Sequence, residues 1–291
     1  VTRTLHAPVG AHVSVAGGLR GSLAQATRIG AEVVQVFLSS PRAWAPWPPD
    51  PDGDATFAAE CEIPVFAHAP YLVNVGSPSE QTLARSRTAL EFALRRGAAI
   101  GARAVVVHAG SAVHGHRRAD AMAQARAQLL GALDTVPDGP RLLVEPMASD
   151  AALASNAASL AAYLDALGRD ERIGVCLDTC HMHAAGHDLS TPASFAAALR
   201  AFARAAGPGR IELVHVNDSR DPVGSKRDRH ASLGSGTIGA GAFEALFSSP
   251  VTRRVPMVVE TEPAYQAGDV AALKALRQSA SAARPARTRR R

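Results

Sequence analysis

The chain has 291 residues, which suits one large α/β barrel or two small domains. Hydrophobic residues make up 47% of it, enough for a sizeable core, yet aromatics reach only 4%, so that core must rest on Val, Leu, Ile and Ala. The formal net charge is +5, no apolar run reaches the roughly 18 residues of a membrane helix, and His6 and Pro8 interrupt the start before an apolar leader could form.

In chain order, eight short β-branched-rich runs stand out: Val9–Val15, Val33–Leu38, Ile63–Ala67, Ala104–Val107, Leu142–Val144, Ile173–Leu177, Ile211–Val216 and Val255–Val259. Runs of this length suit strands buried on both faces. Between them, Thr82–Arg96, Ala119–Leu133, Ala151–Leu167, Pro192–Ala206 and Val270–Ala283 carry helical spacing. In the clearest, Leu83, Ala89, Leu90, Phe92, Ala93 and Leu94 share a face. Strand–helix alternation of this kind predicts an α/β fold, a closed parallel (β/α)8 TIM barrel over residues 1–278. The proline-rich stretch Trp44–Asp54 reads as a rigid loop, and Gly186–Thr191 and Asp218–Gly239 as polar loops. The last is too long to be an idle connection. The cysteines Cys61, Cys176 and Cys180 form no disulfide framework and suit a reducing compartment, with Cys176 and Cys180 expected to pack. At the end stand Arg284, Arg287, Arg289, Arg290 and Arg291. Setting those five aside, 26 of the 31 basic residues remain against 26 acidic ones, so the barrel is expected to be neutral. Residues 279–291 read as a disordered basic tail, either touching phosphates or merely keeping the chain soluble.

The residue at or near the end of each run is more informative. Run one contains His12. Runs three to six end in His68, His108, Glu145 and Asp178; run seven holds His215 and run eight ends in Glu260. Strand carboxyl ends in such a barrel converge on one face, where sites are built. Carboxylates gathered there repel one another unless cations relieve them, and imidazoles mixed with carboxylates are a ligand set for zinc, with manganese or iron as substitutes. Just past run six stands His181, and the long loop adds Asp228 and His230. Nine donors, some bridging, suit two or three ions. Such centres serve phosphoryl chemistry. Neither a phosphate-cradling glycine loop nor a nucleophile-elbow serine appears, so metal-activated water is the best candidate nucleophile.

The segments Gly10-Ala11-His12-Val13-Ser14, His68-Ala69-Pro70-Tyr71-Leu72-Val73-Asn74, His108-Ala109-Gly110-Ser111, Cys176-Leu177-Asp178-Thr179-Cys180-His181, His215-Val216-Asn217-Asp218-Ser219, Asp228-Arg229-His230 and Val259-Glu260-Thr261 resemble, in this order, the endonuclease IV family of zinc-dependent apurinic/apyrimidinic endonucleases. The resemblance spans residues 8 to 265. It implies three Zn2+ per chain, with Mn2+ as a substitute. His68 and His108 would hold one ion, and Glu145 would bridge to the next. Asp178, His215 and Glu260 would complete the second, and His181, Asp228 and His230 would hold the third. Glu145, Asp178 and Glu260 are thereby implied in catalysis. The implied reaction is attack by a metal-bridging hydroxide on the phosphodiester 5′ to an abasic site in double-stranded DNA, with trimming of blocked 3′ ends. Arg42, Tyr71 and Leu72 resemble the rim residues that enter the minor groove and help flip the lesion out. The chain is expected to be a cytoplasmic, nucleoid-associated protein with no obligatory protein partner and no membrane association, and the barrel is long enough to stand as a monomer. Pro146-Met147 stand where the family shows Asn-Thr. A sugar isomerase or epimerase on the same barrel, with one or two ions, and a catalytically weak DNA-damage binder are the alternative readings. His114, His116, His183 and His187 match no ligand position and are expected at the surface or behind the ligands.

Overall fold

A computed structural model describes residues 6–113 and 115–282. The strands are β1 (Val9–His12), β2 (Val34–Phe37), β3 (Val65–His68), β4 (Ala104–His108), β5 (Arg141–Glu145), β6 (Ile173–Asp178), β7 (Ile211–His215), the two-residue β8 (Asp218–Ser219) and β9 (His230–Ala231), and β10 (Met257–Val259). Eight of them close a parallel barrel in the order β1-β10-β7-β6-β5-β4-β3-β2, so each of the eight runs read from sequence contributes one barrel strand. Around it lie α1 (Gly18–Arg28), α2 (Pro51–Glu60), α3 (Glu80–Ala99), α4 (Arg118–Asp134), α5 (Ala157–Ala166), the short α6 (Thr179–Ala185), α7 (Pro192–Ala206), α8 (Glu244–Ser248) and α9 (Pro263–Ala282). No helix among the described residues is long and apolar enough to cross a membrane.

Two apolar layers follow from the strand period. Alternate side chains of one set point outward to meet the helices. Of the inward set, Val33, Phe66, Val106, Leu143, Cys176, Leu213 and Val258 fill the lower bore. Strands β1 and β2 approach so closely that a Cβ on Gly10 would lie 1.7 Å from the Val33 carbonyl oxygen, which restricts that position to glycine. Helix α3 starts at Ser79, whose hydroxyl accepts from the Thr82 amide, and buries Ser86, Leu90, Ala93, Leu94 and Gly97. This face is rotated from the one expected, since Leu83, Ala89 and Phe92 are only partly covered. Truncating Leu90 to alanine would cost about 2–5 kcal/mol.

The proline-rich stretch is not all loop. Asp50 caps α2 through the Gly53 amide and Pro51 occupies the first turn, where a missing N–H costs nothing. Asp54, buried in that turn, grips Arg96 of α3, and Arg96 also donates to the Leu38 carbonyl (2.9 Å) at the foot of the loop carrying Arg42. Helix α5 begins only at Ala157, behind an Asn156–Ser159 capping box. Helix α9 extends to Ala282, so residues 279–282, expected in the tail, are helical; the five terminal arginines lie outside the described residues. The long loop after β7 holds the antiparallel pair β8–β9, in which Ser219 faces His230.

Candidate functional site

Three strands end on donors by simple register: His68 closes β3, His108 β4 and Glu145 β5, and pairing sets His108 beside Glu145 on neighbouring strands. Glu145 is the hub. Its Oε2 lies 3.2 Å from His68 Nε2 and 3.6 Å from His108 Nε2, while its Oε1 lies 3.1 Å from His215 Nδ1 and 3.3 Å from His181 Nδ1. Around the barrel, Asp178 ends β6 and His215 ends β7, in register with each other, and Glu260 follows β10. His215 Nδ1 is 3.2 Å from Glu260 Oε2 and 3.9 Å from Asp178 Oδ2. A third gathering joins His181 Nε2 to Asp228 Oδ2 (3.1 Å) and His230 Nε2 to Asp228 Oδ1 (3.0 Å) and Asp178 Oδ2 (3.6 Å).

All nine donors singled out in the sequence thus meet in one mouth. Donor atoms of His68, His108 and Glu145 lie within 4.8 Å of one another, as do those of Glu145, Asp178, His215 and Glu260, and those of Asp178, His181 and His230. His181, just past the strand, lies in the short helix α6. Asp178 caps α6 and accepts from the His181 amide at 2.7 Å, so the two face one another across a helical first turn. Cys176 packs in the bore as expected. Cys180 is also buried, but its sulfur comes within 4.8 Å of the Asp228 and His230 donor atoms.

Charge makes these distances expensive. Among the described residues no lysine or arginine pairs with any of the four carboxylates; their close partners are imidazoles and amides. Burial alone would raise the Glu145 carboxyl, but His215 and hydrogen bonds from His181, His215 and His68 hold it well below the usual range. For Asp178 burial wins and the group is raised. Burial lowers His108 to about 4, whereas Asp178 and Asp228 overcome burial and lift His181 well above its ordinary value and His230 to about 9. Protons here do what a cation would do better. The His230 Nε2 atom is buried without a well-directed hydrogen bond despite its 3.0 Å approach to Asp228, as expected of two donors facing a shared ion rather than each other. Five imidazoles and four carboxylates are a donor set fitted to zinc-like divalent cations.

Several supporting residues were missed in the sequence. Asn217 donates to Asp178 Oδ2 (2.7 Å) and accepts from the Glu260 amide (2.8 Å). Gln35, fully buried on β2, reaches Glu260, His12 and His215. His12, which the sequence had already marked in run one, meets Glu260 at 3.0 Å. The visible signal was a polar residue inside an otherwise apolar run. Pro146, the departure after β5, accepts from His181 Nδ1 through its carbonyl (3.1 Å), a backbone role that the substitution leaves intact. His183 is buried rather than superficial, its Nε2 3.3 Å from the Thr237 hydroxyl; His187 meets Phe202 edge to face, His116 bonds Gln124, and His114 lies outside the described residues.

At the rim, Tyr71 is 44% exposed and stacks on His108 with ring centroids 5.7 Å apart. Its amide donates to the Pro41 carbonyl (3.0 Å), tying its loop to the one that presents exposed Arg42; Leu72 is half-buried. A cavity of about 300 Å³ opens between Tyr71, Asp228, His230, Glu260 and Tyr265.

A family model described as xylose isomerase-like TIM barrel matches residues 23–284. A probable endonuclease 4 of Streptomyces avermitilis is 47% identical over 279 residues, covering 93% of this chain and 90% of that protein. The crystal structure of endonuclease IV from Thermus thermophilus matches with a TM-score of 0.82 at 32% identity, covering 94% of this chain and 99% of that one. An L-ribulose 3-epimerase matches with a TM-score of 0.70 at 20% identity, covering 97% and 99%, a likeness of fold alone.

Proposed function

The chain belongs to the endonuclease IV family, and we propose that it is a DNA-repair endonuclease hydrolysing the phosphodiester 5′ to an abasic site, leaving a 3′-hydroxyl and a 5′-deoxyribose phosphate. The observation that carries the reading is the meeting of nine donors in overlapping groups in one barrel mouth, with Asp228 reaching His181 and His230 through its two oxygens. His68, His108 and Glu145 would hold one cation, Asp178, His215 and Glu260 with the other Glu145 oxygen a second, and His181, Asp228 and His230 a third. Zinc is the preferred ion and manganese a substitute; bound there, such cations acidify water and neutralise phosphate charge.

The chain's own residues supply the rest. Glu145, Asp178 and Glu260 set the negative charge that assembles the centre, and Asn217 keeps Asp178 and Glu260 at fixed separation. Burial of the donors other than half-exposed Asp228 keeps bulk water from screening them. Tyr71 and Leu72, with Arg42 on the adjoining loop, stand where a duplex would rest and would wedge its minor groove. A nucleotide without its base gives up little stacking on leaving the helix, so the lesion is the easiest one to turn into the mouth. The same mouth would accept blocked 3′ ends, and the DNA substrate implies action at the cytoplasmic nucleoid. The isomerase reading rests on the barrel alone and leaves the His181, Asp228 and His230 group without a purpose.

Nicking of a labelled abasic duplex tests the proposal, with metal content measured in parallel. Cleavage on the 5′ side should vanish when a strong chelator has removed all metal and return with Zn2+ or Mn2+. Cleavage surviving verified metal removal, or a zinc-loaded protein unable to nick the lesion, refutes it.

A further inference from the structure

We propose that Gln35 is a positioning residue: it fixes which nitrogen of His215 faces the carboxylates, and so sets how tightly the Glu145, Asp178, His215 and Glu260 group holds a divalent cation. The inference rests on the metal-dependent reading of the site and adds a residue outside the donor set.

Gln35 lies in the middle of β2, a strand otherwise composed of Val34, Val36 and Phe37, and it is fully buried. An unpaired carboxamide there would be strongly destabilising, but every polar atom is used. The amide nitrogen donates to Glu260 Oε1 at 2.8 Å and lies 2.9 Å from His12 Nδ1. The amide oxygen lies 2.9 Å from His215 Nε2. The orientation of the amide is dictated by Glu260. A carboxylate only accepts, so turning the amide over would set oxygen against oxygen.

The consequence falls on His215. An amide oxygen also only accepts, so His215 Nε2 must carry the proton that it donates. Its Nδ1 is thereby aimed at Glu145 Oε1 (3.1 Å), Glu260 Oε2 (3.2 Å) and Asp178 Oδ2 (3.9 Å). Without a cation, Nδ1 meets these oxygens through a proton, as its bond to Glu145 requires. With a cation in that proton's place, the Nε2–H held by Gln35 leaves Nδ1 as the free lone pair of the ring, aimed at the ion. Through the same carboxamide it also steadies the Glu260 oxygen that does not face His215. Partners of this kind behind a metal-binding imidazole typically govern affinity by about 10–100-fold.

The test compares the full-length protein with Gln35→Leu, which keeps the size and removes the hydrogen bonds, and Gln35→Glu, which keeps an acceptor for His215 but sets a like charge against Glu260. Zn2+ affinity is measured ion by ion against a competing chelator. The protonation of each imidazole nitrogen is read from nitrogen-15 spectra of the zinc-loaded, histidine-labelled protein. In the unaltered protein His215 should show a protonated Nε2 and an unprotonated Nδ1. Gln35→Leu should weaken one zinc by about 10–100-fold, leave zinc at His181, Asp228 and His230 unchanged, and disturb the His215 nitrogen signals. Gln35→Glu should keep the Nε2 proton on His215 while weakening the same zinc. Unchanged His215 signals in Gln35→Leu, with all affinities within about twofold, overturn the proposal. Should the leucine variant fail to fold, loss of the Nε2 proton in Gln35→Glu overturns it equally. Failure of the unaltered protein to bind zinc would instead sink the metal-dependent reading itself.

Discussion

Replacing Asp218 with alanine should loosen the hairpin that delivers Asp228 and His230 while leaving the barrel intact. Asp218 is fully buried and accepts five backbone N–H groups. Its Oδ1 takes Ser219 (2.8 Å) and Ile238 (2.9 Å), and its Oδ2 takes Gly234 (3.0 Å), Gly236 (3.1 Å) and Gly239 (3.3 Å). Gly236 passes so close that a Cβ there would lie 2.5 Å from Asp218 Oδ1. The three glycine amides are exposed or half-buried, so water would replace the carboxylate at little cost. Ser219 and Ile238 are buried at 0% and 2% exposure. Each would lose its partner at roughly 1–3 kcal/mol, giving about 2–6 kcal/mol in all. The low end applies if the loop swings out to admit water. At about 2 kcal/mol, amide hydrogen exchange at Ser219 and residues 234–239 should quicken about 30-fold, with barrel-strand amides unchanged. Asp218→Asn should do no better, since its NH2 group would face backbone donors. The reasoning fails if those amides keep their protection in the alanine variant.

Changing Asp228 and His230 together to alanine should remove about one ion per chain by mass spectrometry and depress nicking by several orders of magnitude, with folding preserved; a full metal complement would contradict the three-group assignment. The pair Tyr71→Ala and Arg42→Ala should erase discrimination between abasic and intact duplex in competition binding while retaining metal, and preserved discrimination would place both outside the wedge. Glu32, on the loop before β2, gives a pH-dependent prediction. Burial raises its carboxyl, but Arg277 and the Val9 amide override this and hold it at about 2, against an ordinary 4.5. A depressed folded value means the contribution is full above about pH 4.5 and is lost as pH falls through about 2. The ceiling of about 3 kcal/mol shrinks to about 1 kcal/mol because the side chain is 36% exposed. Glu32→Gln should therefore lower the unfolding midpoint in denaturant at pH 7 and converge with the unaltered protein near pH 2; an equal loss at both pH values would point to packing instead.

The barrel and its donors were legible in the chain for one physical reason. A parallel strand buried on both faces reads as an unbroken apolar run, so a His, Asp or Glu at its end is conspicuous, and the closed barrel turns seven such ends toward one face. Which donor meets which was not legible from the runs themselves. His108 faces Glu145, and Asp178 faces His215, because of strand order and register around the barrel, and the expected assignment of donors to ions came only from the similarity to known sequences. The start of α2 was hidden because Pro51, a breaker in mid-helix, is favourable in a first turn. Gln35 escaped notice because its partners His215 and Glu260 lie 180 and 225 residues away. In sequence it is one polar residue interrupting an apolar run. Only closure of the barrel, which brings β2 within reach of β7 and β10 across the bore, turns that interruption into a support for the site.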